Sequence, residues 1–149
     1  MIPIMRVAWA APATLIGLAL ALPALIAGAS ANIVDGVVEI GGGRLGRLAA
    51  SRRSRFRAIT FGHVILGVDQ ATLARLRAHE HVHVRQYERW GALFFPLYIG
   101  SSAMQWLRGR DPYRDNHFER EAFAHRGPDA AAPASSAAVS NSGKPITPE

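Results

Sequence analysis

The sequence contains no cysteine, which removes disulfide frameworks, thiolate metal sites and cysteine nucleophiles together. It holds a single lysine beside 16 arginines, so its net charge of +6 is a guanidinium charge, suited to phosphate groups. Acidic side chains are missing from the first 34 residues, and residues 1–31 carry one charge of any kind, Arg6. There is no internal repeat, and Gly41-Gly42-Gly43 is followed by no Walker lysine, so that run is read as a turn and not a phosphate loop. At 149 residues, with both ends atypical, the chain leaves about 95 residues for a compact domain. A multi-lobed enzyme with its own cofactor domain is excluded.

Residues 7–29 form a charge-free run of 23 residues, and about 20 apolar residues suffice to span a bilayer. Ala29-Ser30-Ala31 also has the form of a signal-peptidase site, which would make 1–31 a cleaved leader and export the rest. The run is long for a leader and is followed by a basic cluster, so it is read as a retained transmembrane anchor. Arg44 and Arg47 outweigh Arg6, which puts the following chain on the cytoplasmic side of an inner, cytoplasmic membrane. The cluster Arg44, Arg47, Arg52, Arg53, Arg55 and Arg57 has no acid within its 14 residues and is read as a contact with membrane lipid. Nucleic acid is not expected as a partner, for aromatic interleaving and any recognisable nucleic-acid module are lacking.

Three regions follow: an anchor or signal segment over 1–31, a domain over 32–126, and a tail over 127–149 rich in Ala, Ser and Pro that cannot repay the entropy of ordering. Within the domain, 33–40 and 58–66 are β-branched and read as one strand each, closed by glycine. Asp69 is a candidate N-cap, residues 70–90 lack Gly and Pro, and Gly91 ends the run, which predicts one long helix. Its inward series is Leu73, Leu76, Glu80, His83, Tyr87 and Trp90, spaced 3, 4, 3, 4, 3. An unpaired buried carboxylate costs several kcal/mol, so Glu80 and His83 on that stripe imply a function.

His79-Glu80-His81-Val82-His83 is an HExxH pattern. Residues i and i+4 stand one turn apart on one helix face, so His79 and His83 can grip one zinc ion while Glu80 acts as general base on a water. A strand just before the helix would line the cleft, where its edge can pair with an extended peptide. A catalytic zinc needs a third protein ligand, and Glu119 in the helical-looking stretch 116–122 is the candidate, with Glu121 the alternative. Two positions apart on a helix, only one of the two can serve.

HExxH followed by E-x-x-A on a second helix resembles the gluzincin metallopeptidases, among them the membrane-embedded prenyl-protein and heat-shock proteases. The fuller pattern, HEHVHVRQYERWG with Tyr113-Arg114-Asp115-Asn116 and FEREA, is also similar to small bacterial membrane proteins that carry HExxHxxQ. The likeness covers roughly residues 58–122. It implies an α+β, mostly helical, zincin-like domain in which His79, His83 and Glu119 bind Zn2+ and Glu80 activates water for hydrolysis of a protein or peptide substrate. It departs at Phe123, where the larger proteases carry an aspartate that orients a histidine ligand.

Other polar residues have quieter expectations. His81 points off the metal face, Gln86 supports the ligands from behind, and Arg75, Arg85 and Arg89 are solvated or lipid-facing. His63 is structural or an oxyanion donor, and Tyr98 and Tyr113 either pack or donate to a tetrahedral intermediate. The apolar stretch 91–107 could cross a membrane, lie re-entrant or be a buried helix; a full crossing would put 79–83 and 119 on opposite sides, so the metal reading requires it to be buried, interfacial or re-entrant, with Trp90, Tyr98 and Trp106 at headgroup level where lipid is present. The leading expectation is a membrane-associated zinc peptidase. The alternative is a non-catalytic membrane-associated binding or scaffold protein whose zinc site is structural or vestigial.

Overall fold

The computed structural model describes residues 3–51 and 57–125; Arg52, Arg53 and Arg55 of the basic cluster and the tail 127–149 lie outside the described residues. The class is α+β and mostly helical, with α1 (Pro3–Ile26), β1 (Ala29–Val34), β2 (Val37–Gly42) and α2 (Gly43–Ser51) in the first half. Then come β3 (Ala58–Phe61), β4 (Val64–Gly67), α3 (Gln70–Trp90), a 3-10 turn over Gly91–Leu93, α4 (Phe94–Leu107) and α5 (His117–Ala124).

Both stretches expected as single strands are hairpins. Asp35 and Gly36 take positive φ, 51° and 79°, the type I′ geometry that matches strand twist and that Asp-Gly favours. Gly62, at φ 58°, opens the turn that joins β3 to β4. The strands form one mixed sheet in the order β1-β2-β4-β3, with β2 and β4 parallel and the two hairpins antiparallel. β3 is therefore an edge strand.

The sheet is covered on both faces, which is why β2 shows no clean alternation. Val37, Ile65, Leu73 and Val84 pack between sheet and α3. Ile40, Val64 and Ala21 pack between sheet and α1. α1 meets the sheet through small residues: Ala10, Ala13 and Ala21 are buried, and a Cβ on Gly17 would stand 2.8 Å from Val64 Cβ. A third cluster, Ala10, Ala13, Tyr87, Phe94 and Phe118, ties α1, α3, α4 and α5 together beside the site. α1 contains a 23-residue segment, Ile4–Ile26, long and apolar enough to cross a membrane. The Ala29-Ser30-Ala31 tripeptide belongs to β1 and pairs with Gly42, Gly41 and Ile40.

The β2–α2 junction also carries the glycine spacing of a nucleotide fingerprint at Gly41, Gly43 and Gly46, and the turn reading still stands. Its amides are spent inside the protein, Gly42 N–H donating to Val68 O and Arg44 N–H to Ala27 O. A Cβ on Gly43 would lie 2.5 Å from the Ala29 nitrogen, so chain fills the space a phosphate would need.

Candidate metal centre

The helix predicted over 70–90 is α3 to the residue. Asp69 Oδ1 accepts from Thr72 N–H at 2.6 Å, and Gly91 closes the helix at φ 57° with its N–H on Tyr87 O. The buried set is wider than the predicted stripe: Leu73, His79, Glu80, His83 and Tyr87 are buried, as are Thr72, Val82, Val84 and Gln86. Leu76 is only half-buried, and Trp90, expected inside, is the last residue of α3 and is 37% exposed.

α5 approaches α3 because Asn116 fixes its start. The Asn116 side chain caps Phe118 N–H at 2.9 Å and donates to Tyr98 O and Ser102 Oγ at 3.0 and 2.7 Å, pinning α5 to α4. Glu119 consequently points inward and is 3% exposed, while Glu121 stays at the surface and accepts from Gln86 Nε2 at 2.8 Å. Of the two glutamates, Glu119 faces the histidines.

His79 Nε2 lies 3.3 Å from Glu119 Oε2, and His83 Nε2 lies 3.5 Å from Glu119 Oε1. One ligand atom from each of His79, His83 and Glu119 falls within 4.8 Å of the other two. Bonds of about 2.1 Å in a tetrahedron place neighbouring ligand atoms about 3.4 Å apart, so this triad is spaced for one metal ion. Two of its buried atoms, His79 Nδ1 and Glu119 Oε2, have no hydrogen-bond partner among the described residues, a cost that a bound cation would offset at Glu119. Burial pushes the Glu119 carboxyl up, but the contacts from His79 and His83, the His83 charge and the Tyr98 hydroxyl hold it well below the usual carboxylate range. Burial pulls His83 down, and Glu119, Glu80 and Gln86 more than reverse that, leaving it above its ordinary value.

The surrounding side chains fix the ligands. His83 Nδ1 meets Gln86 Oε1 at 2.8 Å, and Gln86 Nε2 donates to Phe118 O at 3.1 Å, so one glutamine orients a ligand and ties α3 to α5. Tyr98 Oη donates to Glu119 Oε1 at 2.7 Å. The Phe123 ring lies 5.1 Å from that of His79, tilted by 43°, and no partner for His79 Nδ1 is found among the described residues. Glu80 stands beside the triad, its Oε2 accepting from Thr60 Oγ1 of β3 at 2.7 Å. Thr60 was not foreseen; its sign in the sequence is a hydroxyl within a β-branched strand, too common to single out.

Around the triad is a cavity of about 620 Å³, within the usual size for a ligand site. Its walls include residues 57–61 along β3, Phe94, Phe95 and Tyr98 of α4, and Tyr113 and Arg114 of the following loop. His63 lies away from it in the β3–β4 turn, where its ring contacts Glu88 at 3.2 Å and its N–H donates to Thr14 Oγ1 at 3.1 Å, so it is structural. His81 points to the opposite side of α3, and neither His117 nor His125 joins the triad. Compared with known proteins, the chain matches no family model, no curated sequence and no solved structure.

Proposed function

We propose that the protein is a zinc-dependent hydrolase of peptide bonds, held at a membrane through α1. The observation that carries this reading is the meeting of His79, His83 and Glu119 from two helices, with Glu80 lining the same cavity. Two imidazoles and one carboxylate, with no fourth protein ligand in the cluster among the described residues, are the donor set of an open zinc site. The resemblance of HExxH and the downstream E-x-x-A to gluzincin metallopeptidases points the same way.

A zinc ion held by His79, His83 and Glu119 would supply Lewis acidity, polarising a substrate carbonyl and acidifying a water. Glu80 would act as the base, holding at its Oε1 the proton given up by an attacking water and passing it to the amide nitrogen as the C–N bond breaks. Thr60 holds one Glu80 oxygen, which orients the carboxylate and leaves Oε1 for the proton. β3 is an edge strand among the described residues and runs along the cavity wall, where an extended peptide can add as a further strand.

The test is metal analysis of the purified protein joined to cleavage of a fluorescein-labelled unfolded polypeptide. Wild type should hold one zinc and cleave; Glu80→Gln should hold zinc and not cleave, since the base is not a ligand. Cleavage that survives Glu80→Gln would overturn the mechanism. Zinc without any cleavage would favour the scaffold reading.

A further inference from the structure

α4 has its polarity inverted. Its inner side carries Tyr98, Ser101, Ser102 and Gln105, and is tied to α5 through Asn116 and the His117 N–H on Ser101 Oγ. Its outer side exposes Leu97, Ile99, Met104, Trp106 and Leu107, from 41% to 77%. A helix facing water is arranged the other way, since each large apolar side chain left uncovered forgoes about 1.5–3 kcal/mol of burial. α1 shares the inversion, with alanines and Gly17 inward and Leu15, Ile16, Leu18, Leu20 and Leu22 outward. The two faces meet where Trp9 packs over Gly91, the residue from which the chain turns into α4.

The charges around α4 say what covers it. Residues 91–107 carry none, and the stretch is bracketed by Arg89 with Trp90 on one side and Trp106 with Arg108 and Arg110 on the other. The Arg89 guanidinium lies 5.4 Å from the Trp90 ring. Tryptophan and arginine at both ends of an apolar segment match the headgroup zone of a bilayer. A second copy docked on this face would instead bring arginine brackets together. At 14 residues α4 is about 21 Å long, short of the roughly 30 Å hydrocarbon layer, and both its ends return to the one metal centre.

We propose that α4 buries its outer face in one leaflet of an anionic phospholipid bilayer without crossing it, a second membrane contact beside α1. The inference needs no metal and no hydrolysis. Because the chain has no cysteine, single cysteines at Leu97 and Met104, with Arg120 as the water-facing control and Leu20 as the α1 control, can each carry one fluorophore. The full-length variants are placed in vesicles of phosphatidylcholine and phosphatidylglycerol, and far-ultraviolet circular dichroism matching the wild type reports that the fold is kept. Labels at 97 and 104 should be quenched by nitroxide-bearing lipid at least about threefold more than the label at 120, and shielded from aqueous iodide. Iodide access equal to that at 120 would overturn the proposal. So would shielding from iodide without lipid quenching, which is the result for a face covered by another protein. Loss of the lipid signal at position 20 alone would unseat α1 and leave α4.

Discussion

α3 buries a glutamate of another element on each of two sides, and the two are neutralised differently. On the sheet side Glu39 of β2 is wholly buried, and Arg77 grips both its oxygens at 2.7 and 2.9 Å. His81 comes within 3.8 Å of the same carboxylate, and burial holds that imidazole below its ordinary value. On the cavity side Glu119 has two histidines and a tyrosine, and no arginine or lysine among the described residues is paired with it. A buried carboxylate that is fully paired needs nothing further, whereas one left with an unbonded oxygen between two imidazoles has a place for a cation. The first pair fastens α3 to the sheet; the second, with His79 and His83, could hold a metal ion.

The sharpest way to break this contrast is to remove ligands from the cavity side. His79→Ala, His83→Ala or Glu119→Ala should take bound metal from one equivalent to essentially none by elemental analysis, while Glu121→Ala and Arg77→Met leave it in place. If Glu121→Ala rather than Glu119→Ala released the metal, the ligand would be shifted by two residues. Chelation of the wild type should also lower its stability, by about 2.7 kcal/mol at free metal one hundred times Kd, and should not do so in His83→Ala.

Next in size is the sheet side. Arg77→Met strands the Glu39 charge in the interior, and removing one partner of such a pair costs on the order of 3 kcal/mol in urea denaturation. Adding Glu39→Gln should recover part of that loss, because an amide is far cheaper to bury than an unpaired charge. A double variant no more stable than the single one would mean that Glu39 depends little on Arg77.

A smaller effect separates the two sides by pH. The metal-free cavity is held by the His83–Glu119 pair. His83 is raised, so its contribution is full below its unfolded value near 6.5 and lost as pH rises through the folded value. Glu119 is lowered, so its contribution stands above 4.5 and fades as pH falls through the folded value. Metal must displace the His83 proton, so its affinity should fall about tenfold per pH unit on the acid side of His83. The hydrogen bonds to Glu39 raise Arg77 above its already high ordinary value, so the sheet side should not titrate between pH 5 and 9 by way of the arginine. Isothermal titration of zinc at several pH values, with Arg77→Met beside the wild type, reads both.

What was legible beforehand divides along similar lines. α3, its caps, the His79–His83 pair and the choice of Glu119 all depend on spacing within one helix or on two neighbouring glutamates, and local period carries that information. The hairpins were missed because Asp35-Gly36 and Gly62-His63 sit inside short β-branched runs that read as continuous. Their positive-φ glycines were the available sign. Glu39–Arg77 and Thr60–Glu80 join residues 38 and 20 positions apart, and no local pattern announces such pairings. Trp90 was placed inside because the helical period was carried to the last residue of α3, whose side chain is in fact exposed.

The smallest expected effect tests whether both sides of α3 rely on one rigid helix. Asp69 caps it from an exposed position, and Thr72 N–H holds the carboxyl below its ordinary 3.8. Asp69→Ala should cost about 1 kcal/mol at neutral pH, as lost N-caps do. Since a lowered carboxyl stabilises above its unfolded value, the difference from wild type should shrink as pH falls below 3.8. The cap lies more than two turns before His79 and only two before Arg77, yet a helix frays from its end inwards. If α3 moves as one body, the loss is the same with metal or chelator present and metal stoichiometry is unchanged. If the first turns unravel alone, Arg77 loosens while the triad does not, and Asp69→Ala should then add less than its full cost to Arg77→Met. Additivity in that double-mutant cycle would keep the cap and the sheet-side pair independent, and a shortfall would join them.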